Sequence, residues 1–113
     1  FTVIPAGRSR MAIQEFSVRD GHWQPVDSPR VMTAEEISDR ITGPTRICGE
    51  MTAEERQVIG RKWKNAIIAP PALSLRRPSV LAQLAWQRWK EGQVDDPIQL
   101  SPIYLHIAGM IQD

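Results

Sequence analysis

Residues 32–69 decide the fold of this chain, because they repeat one helix-start signal and follow it each time with an apolar run. They read MTAEEISDRITGPTRICGEMTAEERQVIGRKWKNAIIA. Met32–Glu36 recurs as Met51–Glu55, and both carry Thr-x-x-Glu, the capping box in which threonine and glutamate satisfy first-turn N–H groups. We therefore predict helices over residues 34–42 and 53–64.

Each predicted helix is followed by a short β-type run, Thr45–Cys48 after the first and Ala66–Ala69 after the second. Gly43 and Pro44 separate the first pair, because glycine and proline interrupt a helix. An alternation of helix and strand favours parallel strands joined by right-handed crossovers. The centre of the chain therefore predicts an α/β fold.

The residues before this unit predict strands joined by turns. Residues 1–5 and 10–18 are β-type runs, and residues 23–26 follow Asp20–Gly21, a strong hairpin signal. The 10–18 run alternates imperfectly, which indicates a bulge or burial on both faces. Because the chain opens directly on the strand Phe1–Ile4, we expect an N-terminal part of the protein to precede it. Trimming of a disordered start is the alternative.

The residues after this unit predict a helix over 78–91 and a last strand or extended segment over 103–106. Pro78 stands at the first helical position, where its missing N–H costs little, and Gly92 suits the position just past the end.

Trp86 and Trp89 are the conspicuous side chains of this helix. Trp89 flanks an apolar face that includes Leu81 and Leu84, whereas Trp86 projects away from it. Two tryptophans on different sides of one helix do not readily enter one small core. We expect them to pack in the core or on its flank, and a protein interface is the alternative.

Composition and charge restrict the function classes. With 113 residues, 42% apolar and 24% charged, the chain suits one globular domain rather than a disordered or fibrous protein. Fourteen basic and 13 acidic residues give a net charge of +1, so the general basic excess typical of phosphate binding is missing. The sequence contains neither an apolar run of ~18 residues nor a visible signal peptide. One cysteine, Cys48, excludes an internal disulfide and favours a reducing compartment.

Candidate catalytic and metal-binding residues are sparse. Cys48, His22 and His106 are far apart in sequence and lack the spacing of a zinc site. Cys48-Gly49 ends a strand before a helix, where thiols are sometimes activated, but a buried, small apolar residue at a strand end is the simpler interpretation. We predict neither a metal nor a catalytic site.

Two basic stretches are candidate contacts. In the turn Gly7–Arg10, Arg8 and Arg10 can fork onto an anion, and a solvated turn is the alternative. Arg76 and Arg77, together with Arg61, Lys62 and Lys64, make a locally basic zone that suits either a solvated face or contact with RNA in an assembly.

Several stretches resemble the C-terminal half of the TsaB family of tRNA threonylcarbamoyladenosine biosynthesis proteins, formerly grouped with the glycoproteases (peptidase M22-like). They are Ile4–Ala6 with Arg8, Cys48–Gly49, Arg77–Pro78 with Leu81–Ala82 and Leu84–Ala85, and Pro102–Leu105. Pro-x-Tyr-Leu is the most specific motif. Family members often have Asp-Ala-Arg where this chain has Pro5–Gly7, and Arg8 is the available substitute.

The resemblance implies one lobe of an actin/Hsp70-type (ribonuclease H-like) ATPase fold, a mixed sheet with flanking helices. Residues 1–113 would be the C-terminal lobe of a two-lobed protein. The implied role is a cytoplasmic, non-catalytic scaffold in tRNA threonylcarbamoyladenosine synthesis, without a cofactor or membrane association of its own. It would support a TsaD-like catalytic subunit and a TsaE-like ATPase, with tRNA reached only indirectly.

The expected partner or anion contacts are Arg8, Arg10, Trp86, Trp89 and Tyr104. We also expect exposed lobe-interface surface to favour homodimers of the isolated chain. Two alternatives stay open: a piece of a true M22-type glycopeptidase or of an ATPase or kinase of the same fold, and a free-standing α/β interaction module. A preceding lobe with a His-x-x-x-His motif would favour the enzyme, and one without it the scaffold.

Overall fold

A five-stranded mixed sheet organises the first two thirds of the chain in the computed structural model, which describes residues 1–105. Its strands are β1 (Thr2–Pro5), β2 (Met11–Gln14), β5 (Arg30–Met32), β6 (Thr45–Gly49) and β7 (Ala66–Ile68), in the order β5-β2-β1-β6-β7. Strand β2 is antiparallel to both its neighbours, whereas β1, β6 and β7 pair in parallel. The predicted α/β class and the parallel pairing are confirmed.

Both predicted capping boxes are formed. Helix α1 (Ala34–Arg40) begins at Thr33, whose N–H donates to the Glu36 carboxylate at 2.7 Å while its hydroxyl accepts from the Glu36 N–H. Helix α2 (Ala53–Gly60) begins at Thr52 with the same two bonds to Glu55. Both helices end earlier than predicted, because the backbone turns extended at Ile41 and enters a tight turn after Gly60.

The core lies between one face of the sheet and the two helices. Val3, Met11, Ile37, Ile47 and Ile59 are completely or almost completely buried there. Because side chains alternate along a strand, the neighbours of these residues point to the other sheet face. Ile67 on that face is 57% exposed.

The single strand predicted over residues 10–18 is two strands that belong to different sheets. The chain leaves the five-stranded sheet at Glu15, and β3 (Phe16–Arg19) pairs with β4 (His22–Pro25) as a separate hairpin. The imperfect alternation therefore marks a change of sheet rather than a bulge. The predicted hairpin turn is confirmed, with φ of 51° at Asp20 and 76° at Gly21. Strand β5 was not predicted.

Gly49 fixes the pairing of β1 with β6. Its φ is +137°, and a Cβ atom added there would lie 1.9 Å from the carbonyl oxygen of Val3, its partner in the parallel register. No side chain larger than hydrogen fits without moving the two strands apart.

Helix α3 (Pro78–Lys90) follows a short 3₁₀ turn, Pro71–Leu73. Pro78 occupies its first turn as predicted. At the other end, Gln93 N–H donates to Arg88 C=O and Gly92 N–H to Trp89 C=O, with Gly92 at φ +76°, which is a complete Schellman motif. Across residues 1–105, no helix is both long and apolar enough to cross a bilayer.

Candidate interaction surface

Residues 75–104, here called the apolar segment, are all exposed. Its large apolar side chains have exposed fractions from 47% to 93%. On α3 they are Val80, Leu81, Leu84, Trp86 and Trp89, and after it Val94, Ile98, Leu100, Ile103 and Tyr104. Large apolar side chains exposed singly are common on soluble proteins, but so many along one segment make it a candidate interaction surface.

Trp86 and Trp89 lie on the same side of α3. Their ring centroids are 5.0 Å apart and their planes meet at 28°, because residues three apart are neighbours on a helix surface. The prediction that they project from different sides is therefore wrong. The expectation of packing in or beside the core is also wrong, since their side chains are 56% and 59% exposed. Lys90 Nζ stands 5.7 Å from the Trp86 ring centroid, within cation–π range.

Tyr104 lies at the end of the apolar segment with 66% of its surface exposed. The strand or extended segment predicted over 103–106 does not form a strand at Ile103 and Tyr104, and His106 lies outside the described residues. Hydrophobic β-type residues form a strand only where a neighbouring strand satisfies their backbone groups. No sheet edge within residues 1–105 pairs with these two residues.

The apolar segment is joined to the sheet by a forked ion pair. Arg76 Nε donates to Glu50 Oε1 at 2.6 Å, and its terminal nitrogen donates to Oε2 at 3.1 Å. These hydrogen bonds lower the pKa of Glu50 below its ordinary value and raise the pKa of Arg76. Because Glu50 follows β6 directly, the fork ties the start of the segment to the carboxyl end of the sheet.

A cleft of ≈ 530 Å³ opens at this same end of the sheet, between the β1–β2 turn and the first turns of α1 and α2. Arg10 lines it, together with Glu35, Glu54 and Glu55. Arg8 is exposed in the turn with φ of 52°. Three of its lining residues are glutamates and one is an arginine, so acidic residues outnumber basic ones in the lining. Anion contact at Arg8 and Arg10 thus stays a prediction.

The candidate metal ligands are not brought together. His22 is exposed on the β3–β4 hairpin, and Cys48 is half-buried in β6, where its N–H donates to Phe1 C=O. Among residues 1–105, no group of three or more His, Cys, Asp or Glu side chains is placed to hold a metal ion.

The locally basic zone is divided by the fold. Arg76 lies beyond the carboxyl end of β7, whereas Arg61, Lys62 and Lys64 lie in the turn that precedes β7. Trp63 stands among these three cations and is 73% exposed. Sequence reasoning missed Trp63, although an aromatic residue inside a run of cations was a readable signal.

No model of a known protein family matches this chain, and no curated protein matches it.

Proposed function

We propose that this chain is the C-terminal lobe of a TsaB-like scaffold protein, which supports a TsaD-like catalytic subunit in the threonylcarbamoyl modification of tRNA adenosine. The proposal starts from the sequence resemblance, in which Pro102–Leu105 is the most specific motif. In this proposal the chemistry belongs to the TsaD-like subunit, and this chain contributes binding surface.

The sheet supports the finer fold assignment within this proposal. If the β3–β4 hairpin is set aside as an excursion, the remaining strands run in the spatial order third, second, first, fourth, fifth, with only the second antiparallel. The last two strands are each preceded by a helix on the same side. This order is the one expected for a ribonuclease H-like lobe.

The apolar segment is the observation that carries the scaffold role. A helix with Leu81, Leu84 and a stacked tryptophan pair exposed has the composition of a protein interface, where tryptophan is enriched at energetically dominant positions. We propose that this segment packs against the other lobe of the same protein and, through it, supports the TsaD-like subunit. Tyr104 ends the segment and belongs to the same surface.

Reconstitution of tRNA modification tests the proposal. The full-length protein that contains this chain is mixed with a TsaD-like subunit, a TsaE-like ATPase and unmodified tRNA. Threonylcarbamoyladenosine is then measured in the digested tRNA. We expect its formation to depend on this protein. Equal modification in its absence would reject the scaffold role, and modification by this protein alone would favour the enzyme alternative.

Substitution in the apolar segment tests the surface. Trp86→Ala is expected to weaken binding of this chain to the other lobe, supplied as a separate chain, at least about tenfold, since central interface tryptophans commonly contribute 2 kcal/mol or more. Trp23→Ala is the matched control, because Trp23 is similarly exposed but lies on the hairpin. Equal effects of the two substitutions would show that the apolar segment is not part of the interface.

A further inference from the structure

The turn between α2 and β7 is a rigid loop. Lys62 C=O accepts from the N–H groups of Asn65 at 2.9 Å and Ala66 at 2.7 Å, and Lys62 N–H donates to Ile59 C=O at 3.1 Å. Thr45 N–H donates to Asn65 C=O at 2.8 Å, which ties the loop to the start of β6. Four backbone hydrogen bonds thus hold the backbone of this loop and set the directions in which its side chains leave it.

Trp63 is the most exposed tryptophan of the chain. Its side chain is 73% exposed and does not belong to the hydrophobic core. Lys64 Nζ stands 5.5 Å from the centroid of the Trp63 ring, so the ring has a cation beside it while most of its surface remains open to solvent.

Three exposed cations flank Trp63 in sequence, Arg61, Lys62 and Lys64, and of these Lys64 stands over the ring. None of them takes part in the ion pairs found within residues 1–105. The negative end of the α2 dipole accounts for Arg61 and Lys62, which directly follow the helix. It accounts neither for the exposed indole nor for Lys64, three residues further along than Arg61.

We propose that residues 61–64 bind single-stranded RNA, with one base stacked on Trp63 and neighbouring phosphates at Arg61, Lys62 and Lys64. Proteins that bind single strands combine this same pair of elements, an aromatic stacking surface and a cationic track for the backbone. An acidic polypeptide would engage the cations, but only an occasional apolar or aromatic side chain of it would cover the indole, whereas every nucleotide carries a base that can stack. The choice of RNA over DNA rests on the proposed function in tRNA modification, which it extends from indirect to direct contact with tRNA.

Binding of a short, fluorescein-labelled oligoadenylate RNA, followed by fluorescence anisotropy, tests this inference on the whole protein. We expect Trp63→Ala to weaken binding at least about fivefold, which is the lower end of the effect of losing one stacked base. Trp63→Phe should restore part of the affinity. Lys64→Gln should weaken binding. It should also make the negative slope of log affinity against log salt less steep by about 0.7, the value for one phosphate contact on a single strand.

Matched controls separate this surface from general effects. Trp23→Ala removes a similarly exposed tryptophan, and Lys90→Gln removes a similarly exposed cation beside a tryptophan ring. Both should leave RNA affinity unchanged, and Trp63→Ala should leave the melting temperature unchanged. Unaltered RNA binding by Trp63→Ala, or no measurable RNA binding by the wild type, would overturn the inference. Binding to polyglutamate with the same affinity as to RNA would also overturn it, in favour of an acidic protein partner.

The RNA assay and the modification assay can fail independently. If modification does not require this protein but Trp63→Ala weakens binding to RNA, the RNA site stands and the scaffold role falls. If the corresponding oligodeoxyadenylate binds better than RNA, the assignment to RNA is rejected even where modification requires the protein.

Discussion

Residues 1–69 and the apolar segment carry equally clear helix signals, but only the helices of residues 1–69 contribute buried residues. In the first region two capping boxes start helices whose apolar faces are covered, and Ile37, Ile47 and Ile59 are fully buried. In the second, Pro78 and a Schellman motif delimit α3 just as clearly, yet none of its residues is buried. An isolated helix of this length is marginal in water, and within residues 1–105 helix α3 lacks the buried packing that stabilises α1 and α2.

The largest effect is expected where the first region is tightest. Gly49→Ala places a Cβ atom against the Val3 carbonyl and should cost more than about 4 kcal/mol, which is large enough to prevent folding. Urea denaturation measures the loss, or circular dichroism reports an unfolded chain. Gly60→Ala is the control: nothing lies within 4 Å of its added Cβ, and stability should be unchanged or slightly raised. A mild effect of Gly49→Ala would mean that β1 and β6 do not pair as described.

A matched pair of aliphatic truncations compares the two regions directly. Ile47→Ala removes a fully buried side chain and should cost about 2–5 kcal/mol of unfolding free energy. Leu84→Ala, at a side chain that is 53% exposed, should change it by less than about 0.5 kcal/mol. Denaturation curves of the two variants give both values. A loss of several kcal/mol for Leu84→Ala would show that the isolated chain already covers α3.

The smallest effect concerns the fork that joins the regions. Arg76 lowers the pKa of Glu50 in the folded chain. The pair therefore stabilises the fold at pH values above the ordinary carboxyl pKa of 4.5, and this stabilisation is lost as the pH falls from there through the lower pKa of the folded chain. NMR titration of the Glu50 carboxyl should show its pKa moving up towards 4.5 in Arg76→Gln. Arg88→Gln, on the far part of α3, should not move it. An unchanged Glu50 pKa in Arg76→Gln would mean that the fork does not persist in solution.

Sequence reasoning predicted the helix starts correctly because a capping box is completed within four residues. It extended α1 as far as the stop signal at Gly43 and Pro44, whereas the backbone already turns extended at Ile41. It extended α2 because residues 61–64 contain neither glycine nor proline. It joined β2 and β3 because a change of sheet at Glu15 leaves only an imperfect alternation in the sequence. Strand β5 was not predicted because its three residues are too few to show a strand-like alternation.

The candidate surface was partly predictable. Trp86 and Trp89 were identified, but their relative side was misjudged, although a spacing of three residues already places two side chains next to each other on a helix. Their exposure depends on residues 1–105 offering no surface that covers them, and no local sequence pattern reports that. Trp63 was not identified, because Lys62 and Lys64 on either side of it were interpreted only as part of a locally basic zone.

The β3–β4 hairpin has a consequence for engineering and for evolution. The chain leaves β2 at Gln14 and returns at Arg30, and the base of this excursion is closed by Val26 N–H donating to Glu15 C=O and by Gln14 donating to Asp27 C=O. The five-stranded sheet is therefore connected to residues 15–29 mainly through the two ends of that stretch. Since the entropy cost of closing a loop grows slowly with its length, the excursion can be shortened, exchanged or enlarged while the sheet keeps its register. It is the natural place to graft a tag, a probe or a foreign binding loop.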